Sequence, residues 1–526
     1  MATPQTDHLF RLIKTLTKAE KRNFRLYVTR NQSQSNEDLK FIQLFDVLDK
    51  QKEYHEEMVL KKAPDLKKEQ LSNLKAHLYK QLLSSLRLLH KQNNADIEVR
   101  EYLDYAKILY NKGLYIQSLR ILDKAKSIAQ SLHQYFLMLE IVEFEKQIES
   151  RHITRSGENR ATSLADEATS LAQRIQNLSF MSNLALRMYG FYLEFGHVRH
   201  QADLTRIATF FHQNKPTFPQ SDMRFFELVY WYQSLAWYGY IAQDMLKFYR
   251  YSYKWVELFE LEPMMKLYDT SLYLKGIHNL LIAQFMTLNY NGFCKMLKST
   301  ALYVEKHSDT FDENTKAIAF HHLYTAKINK HFMEGTFTEG CKLVPEIECK
   351  LSEFSEQLDH HRILVFYYKM ASLYFGSGNS DKTIDYLNKI IHFKAGNLRT
   401  DIQCFARLLH LIAHFEQKHY SLLEYLIKSV YRFILKNQDL SGIMAEILKF
   451  LRQSLYLTPR EVHPAFVKLK IELEKLAENP FERRSFLYLD ILSWLESKID
   501  NKPVQTVIRE KFLQRQAKKM KQPLNT

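Results

Sequence analysis

The sequence predicts an all-α protein, and three observations carry that prediction. Glycine and proline are scarce, 13 and 11 in 526 residues, so few residues are present that interrupt helices. Tyrosine and phenylalanine are abundant, at 31 and 34, which gives the chain more apolar bulk than a disordered segment carries. Small, aromatic and aliphatic residues recur at steps of three and four, broken by short polar turns. At this length a single core stops growing, so the helices are expected to form a stacked repeat or several domains.

Residues 1–95 read as a small helical cap. Thr17 and Glu20 have capping-box spacing ahead of Phe24 and Leu26. The stretch LKFIQLFDVLDK predicts a second helix, and Leu71, Leu74, Leu78, Leu82, Leu86 and Leu89 form a ridge along a longer one. The ridge lacks sustained heptads, so it is expected to pack on the shorter helices, with a homodimer through 71–89 as the alternative. Lys18, Lys21, Arg22 and Arg25 fall on one helical stripe suited to phosphates or to an acidic surface. An ordinary solvated face explains the same four residues.

From residue 96 the pattern changes to pairs of helices. In EYLDYAKILYNKGLYIQSLRILDKAKSIA, Tyr102, Tyr105, Ala106 and Leu109 line a first helix, Gly113 turns it, and Ser118, Leu122 and Ala125 line a second. Further on, Tyr367, Met370, Ala371 and Tyr374 line a helix that Gly376, Gly378, Asn379 and Ser380 break, and Thr383, Leu387 and Ile390 follow on the next. The alanine lets the two helices approach closely, and Gly378 suits a turn with positive φ. These segments, 102–130 and 367–391, resemble tetratricopeptide repeats. Thr383 and Ile390 stand where that family prefers alanine, and neither segment has proline at its final turn.

The resemblance implies a helical-hairpin solenoid over 96–456, whose first helices form a surface that holds an extended peptide or a partner helix. Weaker first helices are expected near 180–195, 224–240, 274–289, 316–329, 402–416 and 441–456, spaced roughly 40 to 50 residues apart, wider than the family's usual step of about 34. Polar or proline-bearing breaks at 31–38, 152–160 and 211–222 subdivide the chain, the last as an elbow. LTPREVHP at 457–464 opens a C-terminal cap, which ends in a basic tail. Trp231, Trp237, Trp255 and Trp494 are expected in the core between stacked helices or in its caps.

The functional expectation is a non-enzymatic, cytoplasmic scaffold or adaptor. A formal charge of +15 and a pI near 9.2 favour an acidic partner, either a protein or peptide with acidic groups or RNA, DNA or a ribosomal surface. On the first helices Lys107, Tyr368 and Lys369 are the expected peptide contacts. The N-terminal stripe, with Arg515, Lys518, Lys519 and Lys521 of the tail, would serve the nucleic-acid or ribosome-associated alternative.

Chemistry for catalysis is sparse. There is no HExxH, nucleophile elbow, phosphate-binding glycine loop or dinucleotide fingerprint. His321 and His322, like His360 and His361, are sequence neighbours that point about 100° apart on a helix and do not share a metal unaided. Glu143, Glu145 and Glu149 read as a salt-bridged solvent face, and Cys294, Cys341, Cys349 and Cys404 lack metal-finger spacing. No cofactor or metal is expected, and a cryptic enzyme built from distant turns is the least favoured alternative. The N-terminus has no signal-like block and the chain no eighteen-residue apolar run, so no membrane insertion is expected.

Overall fold

A computed structural model describes residues 8–31, 36–63, 66–91, 94–152, 159–393, 399–437, 440–483, 485–486 and 489–521. These residues form helices and turns, with no strand among them. The chain divides into two compact units, Met1–Ile175 and Gln176–Thr526.

In the first unit, the helices His8–Thr15, Lys18–Asn31, Asn36–Lys50, Glu56–Lys62 and Lys68–His90 enclose a core of their own. The capping box forms as expected: the Thr17 N–H donates to Glu20 Oε2 at 2.7 Å, and the Glu20 N–H donates to Thr17 Oγ1 at 3.2 Å. Leu71, Leu78 and Leu82 are buried in this core, with Leu74 and Leu86 packed against it. The leucine ridge is therefore covered by the chain's own helices. A dimer through 71–89 would have to use Tyr79, Leu83 and Leu88, which are exposed on the same helix.

Next come the helices Ala95–Asn111 and Tyr115–Ser131, which pack as an antiparallel pair, and Tyr135–Arg151, which packs on the second of them. Ala106, Ser118, Leu122 and Ala125 have no measurable exposure. Ser118 Oγ donates across the pair to the Ala106 carbonyl at 2.8 Å. In the second unit His360–Gly376 and Ser380–Ile391 repeat this arrangement. Ala371, Thr383 and Leu387 are again fully buried and Ile390 almost so. Thr383 Oγ1 again faces the alanine carbonyl, at 3.5 Å, while donating within its own helix to Asn379 O at 2.8 Å. Ala106, Ser118, Leu122 and Ala125 thus have counterparts in Ala371, Thr383, Leu387 and Ile390, whereas Tyr105, expected on the inner face, is 40% exposed and the corresponding Met370 is fully buried. Ser118→Ala is expected to lower stability by about 1 kcal/mol, the net worth of one such bond, read as a drop in the urea midpoint.

The turns explain why the remaining pairs are hard to read in the sequence. In the Schellman ending of a helix one residue takes the left-handed conformation, and the next N–H bonds back to a carbonyl five residues earlier. Gly113, Gly335 and Gly378 hold that position with φ of 75°, 68° and 85°, but so do His133, Gln243, Leu288 and Lys418, with φ between 53° and 61°. The back-bond is present each time, for example Asp244 N–H to Gly239 O at 2.8 Å and Asn289 N–H to Gln284 O at 2.8 Å. From Gln243 to Lys418 these turns follow one another at intervals of about 40 to 47 residues, the period expected from sequence.

Helices stand at all six expected first-helix positions: Arg160–Phe195, Phe225–Ile241, Thr270–Met286, Glu313–Glu334, Thr400–Glu416 and Gly442–Ser454. Pro216 and Pro219 lie in the connection between Gln201–Gln213 and Phe225–Ile241. The breaks at 31–38 and 152–160 fall partly outside the described residues. Packing runs from neighbour to neighbour: Met245–Leu261 lies on Thr270–Met286, which lies on Glu313–Glu334, and His360–Gly376 meets both Glu313–Glu334 and Thr400–Glu416.

The C-terminal helices join the same core. Thr458 and Glu461 form a capping box at the start of Pro459–Leu476, and Trp494 of Ile491–Ile499 packs edge-on to Phe466 at 5.7 Å between ring centroids. Val504–Lys521 reaches back to the turn at Gly335. Arg509 Nη1 donates to Glu334 O at 3.2 Å, and Thr338 Oγ1 donates to Gln505 Oε1 at 2.9 Å. Trp255 and Trp494 are fully buried, as expected of core or cap residues, while Trp231 is partly buried and stacks on Phe211.

Candidate functional site

The second unit holds a recess of about 780 Å³, within the range of sites that bind small ligands or short chain segments. Its walls are mainly the first helices of successive pairs. Lys275, His278 and Asn279 come from Thr270–Met286; His321, Thr325 and Asn329 from Glu313–Glu334; Arg362, Tyr368 and Lys369 from His360–Gly376. Lys275 stands three and four residues from His278 and Asn279, His321, Thr325 and Asn329 follow at steps of four, and Arg362 stands seven from Lys369, so each helix turns one polar stripe inward. Tyr192 and Trp237 close one side, and Val504, Ile508 and Arg515 of the C-terminal helix border another.

Histidines from three helices meet in this recess. The His278 and His322 rings stack at 4.1 Å between centroids, and the Nδ1 atoms of His321 and His322 lie 3.1 Å apart. Burial, reinforced by Lys369, Arg362 and His361, holds His278 down at about 3. Burial also holds His321 and His322 well below the usual histidine range, with His278 adding to the effect on both. His361, lowered to about 4 by burial and then by Arg399, has its Nδ1 3.1 Å from Arg399 Nη1. A ring nitrogen facing a guanidinium must accept, so His361 is neutral there. The two neighbouring histidines thus touch directly, and His278 of the adjacent helix stacks on His322. Even so, among the described residues no group of three or more His, Cys, Asp or Glu is placed to hold a metal ion.

The cations divide into paired and unpaired. Arg399 is clamped by Asp401 through two bonds of 2.6 and 2.8 Å and donates to the Tyr192 hydroxyl at 2.8 Å. Arg362 pairs with Asp359 at 3.2 Å. Lys369 Nζ donates to Asn329 Oδ1 at 2.6 Å, and Lys275 Nζ lies 5.8 Å from the centre of the Tyr189 ring. Neither lysine has a carboxylate within ion-pair distance among the described residues. Burial lowers both to about 8, because an ammonium in a confined, poorly hydrated site loses solvation it does not recover. His321 Nε2, Thr325 Oγ1, Asn329 Nδ2 and Trp237 Nε1 are buried and have no hydrogen-bond partner. Such groups cost about 1 to 3 kcal/mol each when left unmade, so four of them around one cavity mark a surface built for something polar.

Three residues expected to bind partners meet here although their sequence contexts are unrelated: Tyr368, Lys369 and Arg515. Their setting differs from the expectation. Tyr368 is only 7% exposed, and Lys369 faces the recess, because the first helices turn this side toward one another. Arg515 is exposed at the rim, beside Lys518. The Lys519 and Lys521 side chains lie outside the described residues. Lys107 belongs to the first unit, where it is exposed over the Tyr110 and Phe144 rings at 5.3 and 5.0 Å.

Lys18 and Arg22 are exposed, but Lys21 pairs with Asp49 and Arg25 with Asp46, both at 2.7 Å, so half of the N-terminal stripe is answered within the chain. Glu145 departs from its expected solvent face. It is 1% exposed and pairs with Lys126 and Arg160 at 3.3 and 3.4 Å. The four cysteines are free thiols.

Sequence reasoning passed over Lys275, His278, Thr325, Asn329, Arg362 and Arg399. A signal was present for several of them. The four-residue step from His321 to Thr325 and on to Asn329 carries no metal chemistry, yet it is a polar stripe on a helix whose other faces are apolar. No protein-family model matches the chain, and no curated protein matches it in sequence.

Proposed function

We propose that the chain is a non-enzymatic binding protein, a tetratricopeptide-like helical-hairpin scaffold of the cytoplasm, and that the recess of its second unit receives an acidic segment of a protein partner. The observation that carries this reading is the convergence of Lys275 and Lys369, neither with a carboxylate partner, upon buried donors that have none of their own. Desolvated charges of one sign, fixed on rigid helices, favour an oppositely charged ligand and disfavour any other. The period of the turns and the inward position of the first helices support the solenoid part of the reading. No described helix is long and apolar enough to cross a membrane. The nucleic-acid alternative draws less support, because Lys21 and Arg25 are held by Asp49 and Asp46.

The test is fluorescence polarisation with the full chain and a labelled peptide of eight alternating Asp and Glu residues, against its Asn and Gln counterpart. The acidic peptide is expected to bind at least about tenfold more tightly, and Lys369→Met to remove about tenfold, as loss of one charge-assisted contact does. Lys275→Met, which breaks no hydrogen bond, serves as the second variant. Equal binding of the two peptides, or full affinity in both variants, would sink the reading.

A further inference from the structure

The pairing of charges in the recess bears on the kind of acid it would take. Arg399 and Arg362 are neutralised by Asp401 and Asp359. Asp269 and Asp490 cap their helices through the Leu272 and Ser493 N–H groups at 2.9 and 3.1 Å, and Asp269 acts on Lys275 only from beyond ion-pair distance. Lys275 and Lys369 are therefore left without an ion-pair partner; Lys369 acts on His278 and His321, Lys275 acts on His322, and Arg362 acts on all three. Thr325, Asn329 and His321 are 2%, 1% and 6% exposed, and each presents a polar atom with no partner. A carboxylate offers one charge and two oxygens to this set. A phosphate monoester offers close to two charges and three terminal oxygens.

We propose that the recess takes a phosphate monoester dianion between Lys275 and Lys369, with Thr325, Asn329 and His321 bonding to its terminal oxygens. The inference rests on the reading that a protein segment enters the recess, and the ester is then a phosphorylated side chain of that segment. A free phosphate ester has the same chemistry, and the experiment separates the two carriers. Affinity has a plateau in pH. Below about 6 the phosphate dianion takes up a proton and becomes a monoanion, and above about 8 the two lysines lose theirs. Among the other titratable groups facing the site, His278 and His361 are lowered to near 3 and 4, His321 and His322 lie well below 6.5, and Tyr189, Tyr192, Tyr240 and Tyr368 are raised above 10, all outside that interval.

The experiment is calorimetric titration of the full chain with one acidic peptide in three forms, carrying phosphoserine, glutamate or serine at its centre, and with phenyl phosphate as the free ester. The phosphoserine form is expected to bind about tenfold or more tighter than the glutamate form, with phenyl phosphate competing for the same site. Lys275→Met and Lys369→Met should each abolish that preference, while Lys295→Ala, at an exposed lysine outside the recess, retains it. Equal affinity for phosphoserine and glutamate would overturn the dianion while leaving the acidic-segment reading in place. Binding of phenyl phosphate alone would support the phosphate site and remove the protein segment as its carrier. Failure of all four ligands would remove both.

Discussion

Gly335→Ala is expected to destabilise the second unit by more than about 3 kcal/mol, at least about twice the effect of the same change at Gly378. Both glycines are left-handed, with φ of 68° and 85°, so an added Cβ meets the same local strain, about 1 to 2 kcal/mol. The difference lies in the surroundings. At Gly378 an added Cβ would have nothing within 4 Å, whereas at Gly335 it would stand 2.5 Å from Arg509 N and 2.9 Å from Arg509 Cα and Gln505 O. Backbone atoms cannot rotate aside as a side chain does, so the helix Val504–Lys521 must move off the turn. It would then lose the Arg509 bond to Glu334 O and the Thr338 bond to Gln505. Urea unfolding of the two variants measures the difference. Limited trypsin digestion, reading cleavage after Arg509 and Lys511, shows whether the helix has come away. Equal midpoints for Gly335→Ala and Gly378→Ala would refute the close approach.

Acidification from pH 7 to pH 5 should destabilise the same unit strongly, with protons taken up on unfolding. His278, His361 and His410 are lowered to about 3, 4 and 3 in the folded chain, and His321 and His322 also lie well below their ordinary value. Between an unfolded pKa near 6.5 and these folded values the unfolded chain binds more protons. Stability is therefore full above about 6.5 and falls as pH drops toward 3. Each such histidine withdraws roughly 1 to 2 kcal/mol by pH 5.

The groups around them oppose protonation. His278, His321 and His322 face Lys369, Arg362 and Lys275; His410 faces His414, Arg407 and His392; only His361 has acids, Asp359 and Asp401, set against Arg399 and Arg362. Urea midpoints at pH 7, 6 and 5 test the sign. His278→Gln combined with His321→Gln and His322→Gln should flatten the slope. A midpoint unchanged between pH 7 and 5 would show that these rings protonate freely.

What could be read in the sequence was what is local to a helix. The pairs at 102–130 and 367–391 announce themselves because Gly113 and Gly378 mark their turns, and the Thr17 capping box closes within one turn of helix. Turns at His133, Gln243, Leu288 and Lys418 hide the same geometry behind residues that rarely take positive φ. Asp244 and Asn289, which follow two of them and cap the next helix, are the better signal. The recess was legible only in pieces. Tyr368, Lys369 and Arg515 could each be chosen singly, but their meeting depends on which helices are neighbours. Lys21 and Arg25 lost their apparent freedom to aspartates on another helix, 28 and 21 residues away. Charge pairing across such separations has no periodic trace in sequence.

The contact between Arg509 and Glu334 spans 175 residues, whereas most packing joins helices that are neighbours along the chain. Translation at roughly 5 to 20 residues per second puts an interval of about 10 to 35 s between the two partners. By the end of that interval the nascent polypeptide has made the polar stripes and the apolar residues beside them, Phe332 and Phe337, but not the helix that borders them. Vectorial synthesis thus leaves this cavity as a late-closing seam, and the stage at which a holding chaperone has most to shield is the one just before residue 504 emerges.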